Sequence, residues 1–236
     1  MTKFSANLGF LWTELALPDA IRAANSAGFD AVECHFPYDV PASDVLEALR
    51  ETGLPMLGIN TRRGDAANGD NGLCAIPSRV DEARAAIDEA IGYGAEIAAA
   101  CIHVMAGTAE GPSAHQTFVS NLRYACAQAA ARDLTILIEP LNTYDAPGYF
   151  LKGTEQARAI IEEVGAENLK LMFDCYHVQL LEGDISNKLQ DLLPLIGHIQ
   201  FAAVPGRGAP DHGELNYAHV FRRIAELGYE QALGAE

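Results

Sequence analysis

The chain has 236 residues, of which 49 % are hydrophobic, so it can bury a large core, and we expect a single domain over residues 1–236. A formal net charge of −16 argues against nucleic acid and anionic membranes as partners, because both demand a basic face. Five cysteines without a Cys-x-x-Cys pair favour a reducing compartment. With no recognisable leader or membrane-spanning stretch, we expect a cytoplasmic protein.

Helical stretches that end at a glycine and lead into an apolar run recur along the chain. Glycine closes such helices at Gly28, Gly53, Gly94, Gly165 and Gly228, because it adopts the left-handed cap conformation without a Cβ penalty. The apolar runs predict eight strands, at residues 4–10, 31–36, 55–60, 97–105, 134–139, 169–174, 197–203 and 231–236.

Strands that alternate with helices indicate a parallel sheet with right-handed crossovers. Eight such units favour an α/β fold closed into a TIM (β/α)8 barrel. A barrel of this type normally has a helix after its eighth strand. The sequence ends before one, so we expect the last helix to be missing from this chain.

Four consecutive predicted strands each end at a residue with a side-chain oxygen: Glu139, Asp174, Gln200 and Glu236. Active sites of such barrels lie where the strands end, so these four side chains are expected to share one mouth. Any one of them alone is commonly a polar residue bonded to a neighbouring helix. Four in succession favour a metal site, and oxygen ligands suit Mg²⁺ or Mn²⁺ rather than zinc.

Two glutamates beside a divalent ion also suit proton transfer. An ion that chelates a carbonyl and the adjacent hydroxyl stabilises the enediolate formed when the carbon loses a proton. One glutamate removes that proton, and the same or the opposite glutamate returns it to the neighbouring carbon. Such a site interconverts an α-hydroxyaldehyde and an α-hydroxyketone, or epimerises at that carbon.

Seven segments spread along the chain together resemble one family. They are Phe4-Ser-Ala-Asn-Leu8, Phe36-Pro-Tyr38, Arg63-Gly-Asp65, Ile138-Glu-Pro-Leu-Asn142, Asp174-Cys-Tyr-His177, Gly197-His-Ile-Gln200 and Gly213-Glu-Leu-Asn-Tyr217. The sequence resembles the hydroxypyruvate isomerase family, a branch of the xylose-isomerase-like TIM barrels that includes 2-oxo-tetronate isomerases.

The resemblance implies a Mg²⁺ or Mn²⁺ ion held by four ligands, namely Glu139, Asp174, Gln200 and Glu236. It also implies that Glu139 and Glu236 form the acid/base pair. Because similar family members continue past the last glutamate, we expect Glu236 to be the least firmly held ligand in this chain.

Four further residues are candidate substrate contacts. The resemblance suggests His177 and Arg207; a helix cap or outer hydrogen bond is the alternative for His177, and a solvated loop charge is the alternative for Arg207. Arg207 offers an acidic protein a forked cation for a carboxylate substrate. His103 and Asn60 lie at strand ends, where a core histidine is the commoner outcome for His103.

The sequence thus predicts a metal-dependent isomerase of carbohydrate and glyoxylate metabolism that converts hydroxypyruvate to tartronate semialdehyde. The expected partner is a small hydroxy-oxo acid or sugar, and self-association is left open. A 2-oxo-tetronate isomerase or a ketose 3-epimerase would use the same ligands; the loops at 61–78 and 202–218 set the pocket length that separates them. Remote alternatives are an endonuclease-IV-like phosphodiesterase, disfavoured by the charge, and a non-catalytic barrel that binds sugar acids.

Overall fold

The computed structural model describes residues 2–236, whose eight parallel strands are arranged as a barrel. The strands are β1 (Phe4–Asn7), β2 (Ala31–Glu33), β3 (Gly58–Asn60), β4 (Cys101–His103), β5 (Thr135–Ile138), β6 (Leu169–Asp174), β7 (Ile196–Phe201) and β8 (Leu233–Ala235). They pair in the order β2-β1-β8-β7-β6-β5-β4-β3. A parallel bridge between Val32 and Met56 joins β2 to the segment before β3, so the two outer strands meet. The predicted (β/α)8 barrel is confirmed.

Eight α-helices surround these strands in the described part of the chain. They are α1 (Leu17–Ser26), α2 (Ala42–Thr52), α3 (Val80–Glu96), α4 (Gly111–Ala130), α5 (Thr154–Val164), α6 (Cys175–Leu181), α7 (Ile185–Leu192) and α8 (Tyr217–Glu226). Both α6 and α7 lie between β6 and β7, and within residues 2–236 no helix follows β8, as expected. None of these helices has the length and apolar character needed to cross a bilayer.

The predicted strand at 97–105 begins too early, and the predicted helix end at Gly94 is wrong. Helix α3 continues to Glu96, and the strand begins only at Cys101. Gly94 lies inside the helix, where an added Cβ would approach the Cδ1 atom of Ile102 to 2.7 Å. Glycine is present there for close helix–strand packing rather than for a cap. By contrast, Gly53 and Gly165 do cap their helices with φ of 73° and 69°.

Alternation along β6 and β7 determines which side chains enter the barrel. Met172 pairs with His198 and Asp174 pairs with Gln200, and successive residues of a strand point to opposite faces. Phe173 and Ile199, one residue along, are fully buried in the main apolar core. The barrel interior therefore carries polar groups above a small cluster formed by Cys101, Leu137 and Met172.

Candidate active site

The predicted site residues converge at the carboxyl ends of the strands. All of them except Asp174 line one pocket of about 630 Å³ that opens to solvent: Asn60, His103, Glu139, His177, Gln200, Arg207 and Glu236. Asp174 lies behind this surface, with a side chain that is 0 % exposed. The strand register explains the convergence, because Asp174 is level with Gln200 and Gln200 is level with Gly234. Glu139 follows β5 directly, and Glu236 follows β8.

Asp174 has one oxygen that supports the fold and one that is free. Its Oδ1 atom accepts a hydrogen bond of 2.8 Å from the backbone N–H of Tyr176 and so caps α6. Its Oδ2 atom is buried without any hydrogen-bond partner, and so is the Oε1 atom of Gln200. Buried oxygens without partners are costly unless a cation or another donor occupies the space between them. This donor set fits an oxygen-preferring divalent ion.

Glu33, which sequence reasoning missed, fixes the orientation of the Gln200 amide. Its Oε1 atom accepts a hydrogen bond of 2.6 Å from Gln200 Nε2, and its Oε2 atom lies 2.6 Å from His198 Nε2. Although burial favours the neutral acid, the adjacent His198 and these hydrogen bonds hold the pKa of Glu33 below its usual value. A carboxylate only accepts hydrogen bonds, so the amide nitrogen must face Glu33 and the amide oxygen must turn away from it.

Glu139 is a buried carboxyl group without strong hydrogen bonds. The nearest ring nitrogens are His103 Nδ1 at 3.7 Å from Oε2 and His177 Nε2 at 4.0 Å from Oε1. Burial raises its pKa well above the usual value, and the negative charges of Asp174 and Glu236 raise it further. A carboxyl group with a raised pKa and free lone pairs is suited to act as a general base.

Glu236 is firmly held, contrary to the expectation that it would be loose. Asn7 donates a hydrogen bond of 2.9 Å to its Oε1 atom, and Arg207 Nη2 donates one of 2.7 Å to its Oε2 atom. Its side chain is only 3 % exposed. Burial and the charge of Asp174 raise the pKa of Glu236 to about 8, while Arg207 acts in the opposite direction.

His177 presents an N–H group to the pocket. The backbone N–H of Asn142 donates to its Nδ1 atom over 3.0 Å, so the proton of the neutral ring resides on Nε2. Burial lowers the pKa of His177, which keeps the ring neutral. Arg207 Nη2 lies 3.3 Å from His177 Nε2. Since both groups are donors, this contact is not a hydrogen bond, and the two N–H groups converge where an oxygen acceptor would fit.

Arg207 is held in place by its neighbours. Its guanidinium lies over the rings of Phe10, at 4.5 Å, and Tyr176, at 4.9 Å. Asp145 Oδ2 lies 3.6 Å from Nη1 and accepts a hydrogen bond of 2.9 Å from the Tyr176 hydroxyl. These contacts orient the guanidinium so that its Nη2 atom contacts Glu236 and lies 3.9 Å from Oδ2 of Asp174.

Glu139, Asp174 and His177 form a buried triad whose ligand atoms all lie within 4.8 Å of one another, a spacing that can hold a metal ion. This triad overlaps the predicted ligand set at Glu139 and Asp174. It differs at His177, whose Nε2 proton would have to leave before that nitrogen could coordinate.

His103 and Asn60 lie on the opposite side of the same pocket. His103 is 3 % exposed, and neither of its ring nitrogens has a hydrogen-bond partner. Burial lowers its pKa to about 3, with smaller contributions from His35 and His177, so the ring is neutral. The backbone carbonyl of Asn60 accepts a hydrogen bond from the Tyr38 hydroxyl.

The chain is similar over its whole length to known proteins of one family. Residues 21–236 match the family described as xylose isomerase-like TIM barrel. The whole chain is 44 % identical to a 2-oxo-tetronate isomerase from Cupriavidus necator, of which 92 % is covered. It is 38 % identical to the hydroxypyruvate isomerase of Escherichia coli, with 93 % of that protein covered. A crystal structure of an AP endonuclease, family 2, from Brucella melitensis has a TM-score of 0.96 at 35 % identity, over 100 % of this chain and 93 % of that one.

The chain therefore belongs to the xylose isomerase-like TIM barrel family. The predicted enzyme class, an isomerase, is confirmed by its curated relatives.

The raised pKa values predict how the stability of the metal-free protein varies with pH. Glu139 and Glu236 bind protons more tightly when folded than when unfolded, so the free energy of unfolding should fall as pH rises from about 4.5 to about 8. Replacing Glu139→Gln removes one such group. We expect the variant to gain stability over the wild type as pH rises from 5 to 8, because it has no carboxyl group to deprotonate at this buried position. Urea titrations in EDTA at pH 5 and pH 8 measure this difference, and a pH-independent difference would contradict the assignment.

Proposed function

We propose that the protein is a divalent-metal-dependent isomerase of a short hydroxy-oxo acid, with hydroxypyruvate and tartronate semialdehyde as its substrate pair. The observation that carries the proposal is the cluster of Glu139, Asp174 and Glu236 beside two buried oxygens without partners, those of Asp174 and Gln200. Relatives named hydroxypyruvate isomerase and 2-oxo-tetronate isomerase support the substrate class.

The ion would be held by Glu139, Asp174, Gln200 and Glu236, with Mg²⁺ or Mn²⁺ preferred by this oxygen-rich set. When bound, it would draw electron density from the substrate's carbonyl oxygen and adjacent hydroxyl, which acidifies the carbon between them. His177 Nε2–H remains a donor while Asn142 holds its Nδ1 atom, so we favour His177 as a substrate contact rather than a fifth protein ligand.

Proton transfer is assigned to the two glutamates. Glu139, with no short hydrogen bond to satisfy it, removes the C3 proton of hydroxypyruvate and leaves an enediolate. Return of a proton to C2, by Glu139 or from the opposite side by Glu236, together with transfer of the hydroxyl proton from O3 to O2, gives the hydroxyaldehyde. His177 and Arg207 donate hydrogen bonds to the oxygen that gains negative charge, because their N–H groups meet at 3.3 Å beside Asp174.

A 2-oxo-tetronate is the second candidate substrate. The pocket continues past the carboxylates to Asn60, Asn71 and His35, and this polar surface suits a substrate with one further hydroxyl-bearing carbon. The 44 % identical relative from Cupriavidus necator, a 2-oxo-tetronate isomerase, also supports this substrate. An endonuclease activity is disfavoured despite the Brucella melitensis relative, because the net charge is −16 and the site is dominated by carboxylates.

Proton NMR of the metal-loaded protein with hydroxypyruvate, 2-oxo-tetronates and several ketoses tests the function directly. We expect turnover of one or both hydroxy-oxo acids, its loss in EDTA, and its recovery with Mn²⁺ or Mg²⁺. Full activity after exhaustive chelation would remove the metal from the proposal, and turnover of ketoses alone would replace the substrate class.

Exchanging the partners Glu33 and Gln200 tests how the amide ligand is oriented. Glu33→Gln replaces a carboxylate that only accepts hydrogen bonds with an amide that can also donate, so Gln200 Oε1 can turn toward residue 33 and away from the site. We therefore expect Mn²⁺ affinity to fall roughly 10- to 100-fold. Gln200→Glu alone places two carboxylates 2.6 Å apart and should also bind poorly. In the double variant, the new amide at 33 donates to the new carboxylate at 200.

We expect the double variant to recover most of the lost affinity, as measured by calorimetric Mn²⁺ titration. If Glu33→Gln binds Mn²⁺ as tightly as the wild type, Glu33 does not orient the ligand. A double variant that binds Mn²⁺ more weakly than either single variant would contradict the proposed hydrogen bond between residues 33 and 200.

A further inference from the structure

The two arginines that line the pocket, Arg207 and Arg63, differ in how their charges are paired. On the side formed by the loops after β5 and β7, Arg207 is bonded to Glu236 and flanked by Asp145, while Asn142 bonds both Asp145 and His177. The charge of Arg207 is thus paired with carboxylates, although its Nε atom, like that of Arg63, is buried without a hydrogen bond. A substrate that takes the Arg207 charge for itself has to compete with Glu236 at 2.7 Å.

On the opposite side, polar atoms lack partners. The Nε atom of Arg63 and both ring nitrogens of His103 are buried without any hydrogen bond. Within residues 2–236, no carboxylate lies within ion-pair distance of the Arg63 guanidinium, which rests on the ring of Phe36 at 4.6 Å. The other arginine of this pocket, Arg207, is paired with Glu236 at 2.7 Å, so Arg63 carries the unpaired positive charge of the two.

Arg63 is held at this position by backbone contacts. Its carbonyl accepts a hydrogen bond of 2.8 Å from Gly72, and the preceding Thr61 N–H donates to the His103 carbonyl over 2.9 Å. The Thr61 hydroxyl accepts a further hydrogen bond of 3.1 Å from Met105. The segment therefore forms a fixed part of the pocket beside β4 and presents Arg63 to it.

The charges of both arginines act on the ring of His35. Burial lowers its pKa to about 4, and the positive charges of Arg207 and Arg63 both act in the same direction. His35, Arg63 and Arg207 all line the one pocket, so a ligand bound there faces both arginines.

We propose that Arg63 binds the substrate carboxylate, while Arg207 and His177 hold the reacting oxygen next to Glu139 and Asp174. This inference rests on the proposed hydroxy-oxo acid isomerase and adds the orientation of its substrate. A guanidinium whose donors are free forms a forked pair with a carboxylate, and the Phe36 ring leaves its edge available for that contact. The site then selects 2-oxo acids over neutral ketoses through Arg63.

Steady-state kinetics of Arg63→Met with the hydroxy-oxo acid that the wild type converts best tests this assignment. We expect KM to rise roughly 10- to 100-fold with kcat changed less than about threefold, because the lost contact is to a group that does not react. Arg63→Lys keeps the positive charge but loses the forked pair of donors, so its KM should lie between those of the wild type and Arg63→Met. Inhibition by tartronate, a dicarboxylate, should weaken in Arg63→Met by far more than inhibition by glycolate, which lacks the second carboxylate.

The neighbouring Arg62 supplies a matched control. It is exposed, pairs with Glu89 at 2.7 Å and lies over Tyr38, so Arg62→Met removes the same charge from the same loop without touching the pocket. We expect its kinetic constants to stay within about twofold of the wild type. An unchanged KM in Arg63→Met, or an equal loss in Arg62→Met, would overturn the assignment of Arg63 and leave the isomerase proposal intact. Absence of turnover of any hydroxy-oxo acid by the wild type would instead refute the proposed function.

Discussion

Mutual repulsion of three buried carboxyl groups is the constraint on which the rest of the site depends. Glu139, Asp174 and Glu236 meet at the mouth of the barrel, where burial and their proximity raise the pKa of Glu139 well above its usual value and that of Glu236 to about 8. Arg207 offsets part of this charge by its 2.7 Å contact with Glu236. A divalent cation would offset the remainder, and the free oxygens of Asp174 and Gln200 are the groups that would receive it.

The polar side chains at the mouth of the barrel are held in place by contacts that also stabilise the fold. Asp174 caps α6 with one oxygen and keeps the other for the site. Gln200 owes its orientation to Glu33, which reaches it from β2 across the barrel interior. Gly234 on β8 makes room for that contact, since an added Cβ would lie 2.5 Å from Glu33 Oε1. Burying these carboxyl groups at the mouth of the barrel is unfavourable, and the apolar core between strands and helices offsets that cost.

Sequence reasoning located all eight strands, and the ends of β3 at Asn60 and β6 at Asp174, because apolar runs leave local signals; it placed the ends of β1, β2, β4 and β7 two or three residues too late. An apolar run that stops at a carboxylate indicates a strand end, and the register of β6 with β7 places Asp174 beside Gln200 as expected. Glu33 was missed although it is an acid within the apolar run 31–36, because its partner lies on a strand 165 residues away along the chain. Asn7, which holds Glu236, was missed for the same reason. The sequence wrongly predicts a helix end at Gly94, because a glycine that caps a helix and a glycine that allows close packing look the same in sequence.

Asp174 and Gln200 would only hold the ion, whereas Glu139 and Glu236 would also move the proton. The variant Glu139→Gln in deuterated solvent tests this assignment most directly. The neutral amide keeps an oxygen for the ion but has no basic lone pair of comparable strength. The variant should therefore still bind Mn²⁺ by calorimetry, while exchange of the C3 proton of hydroxypyruvate with solvent deuterium should fall by roughly 100-fold or more. Exchange at the wild-type rate in a variant that retains its metal would contradict the account.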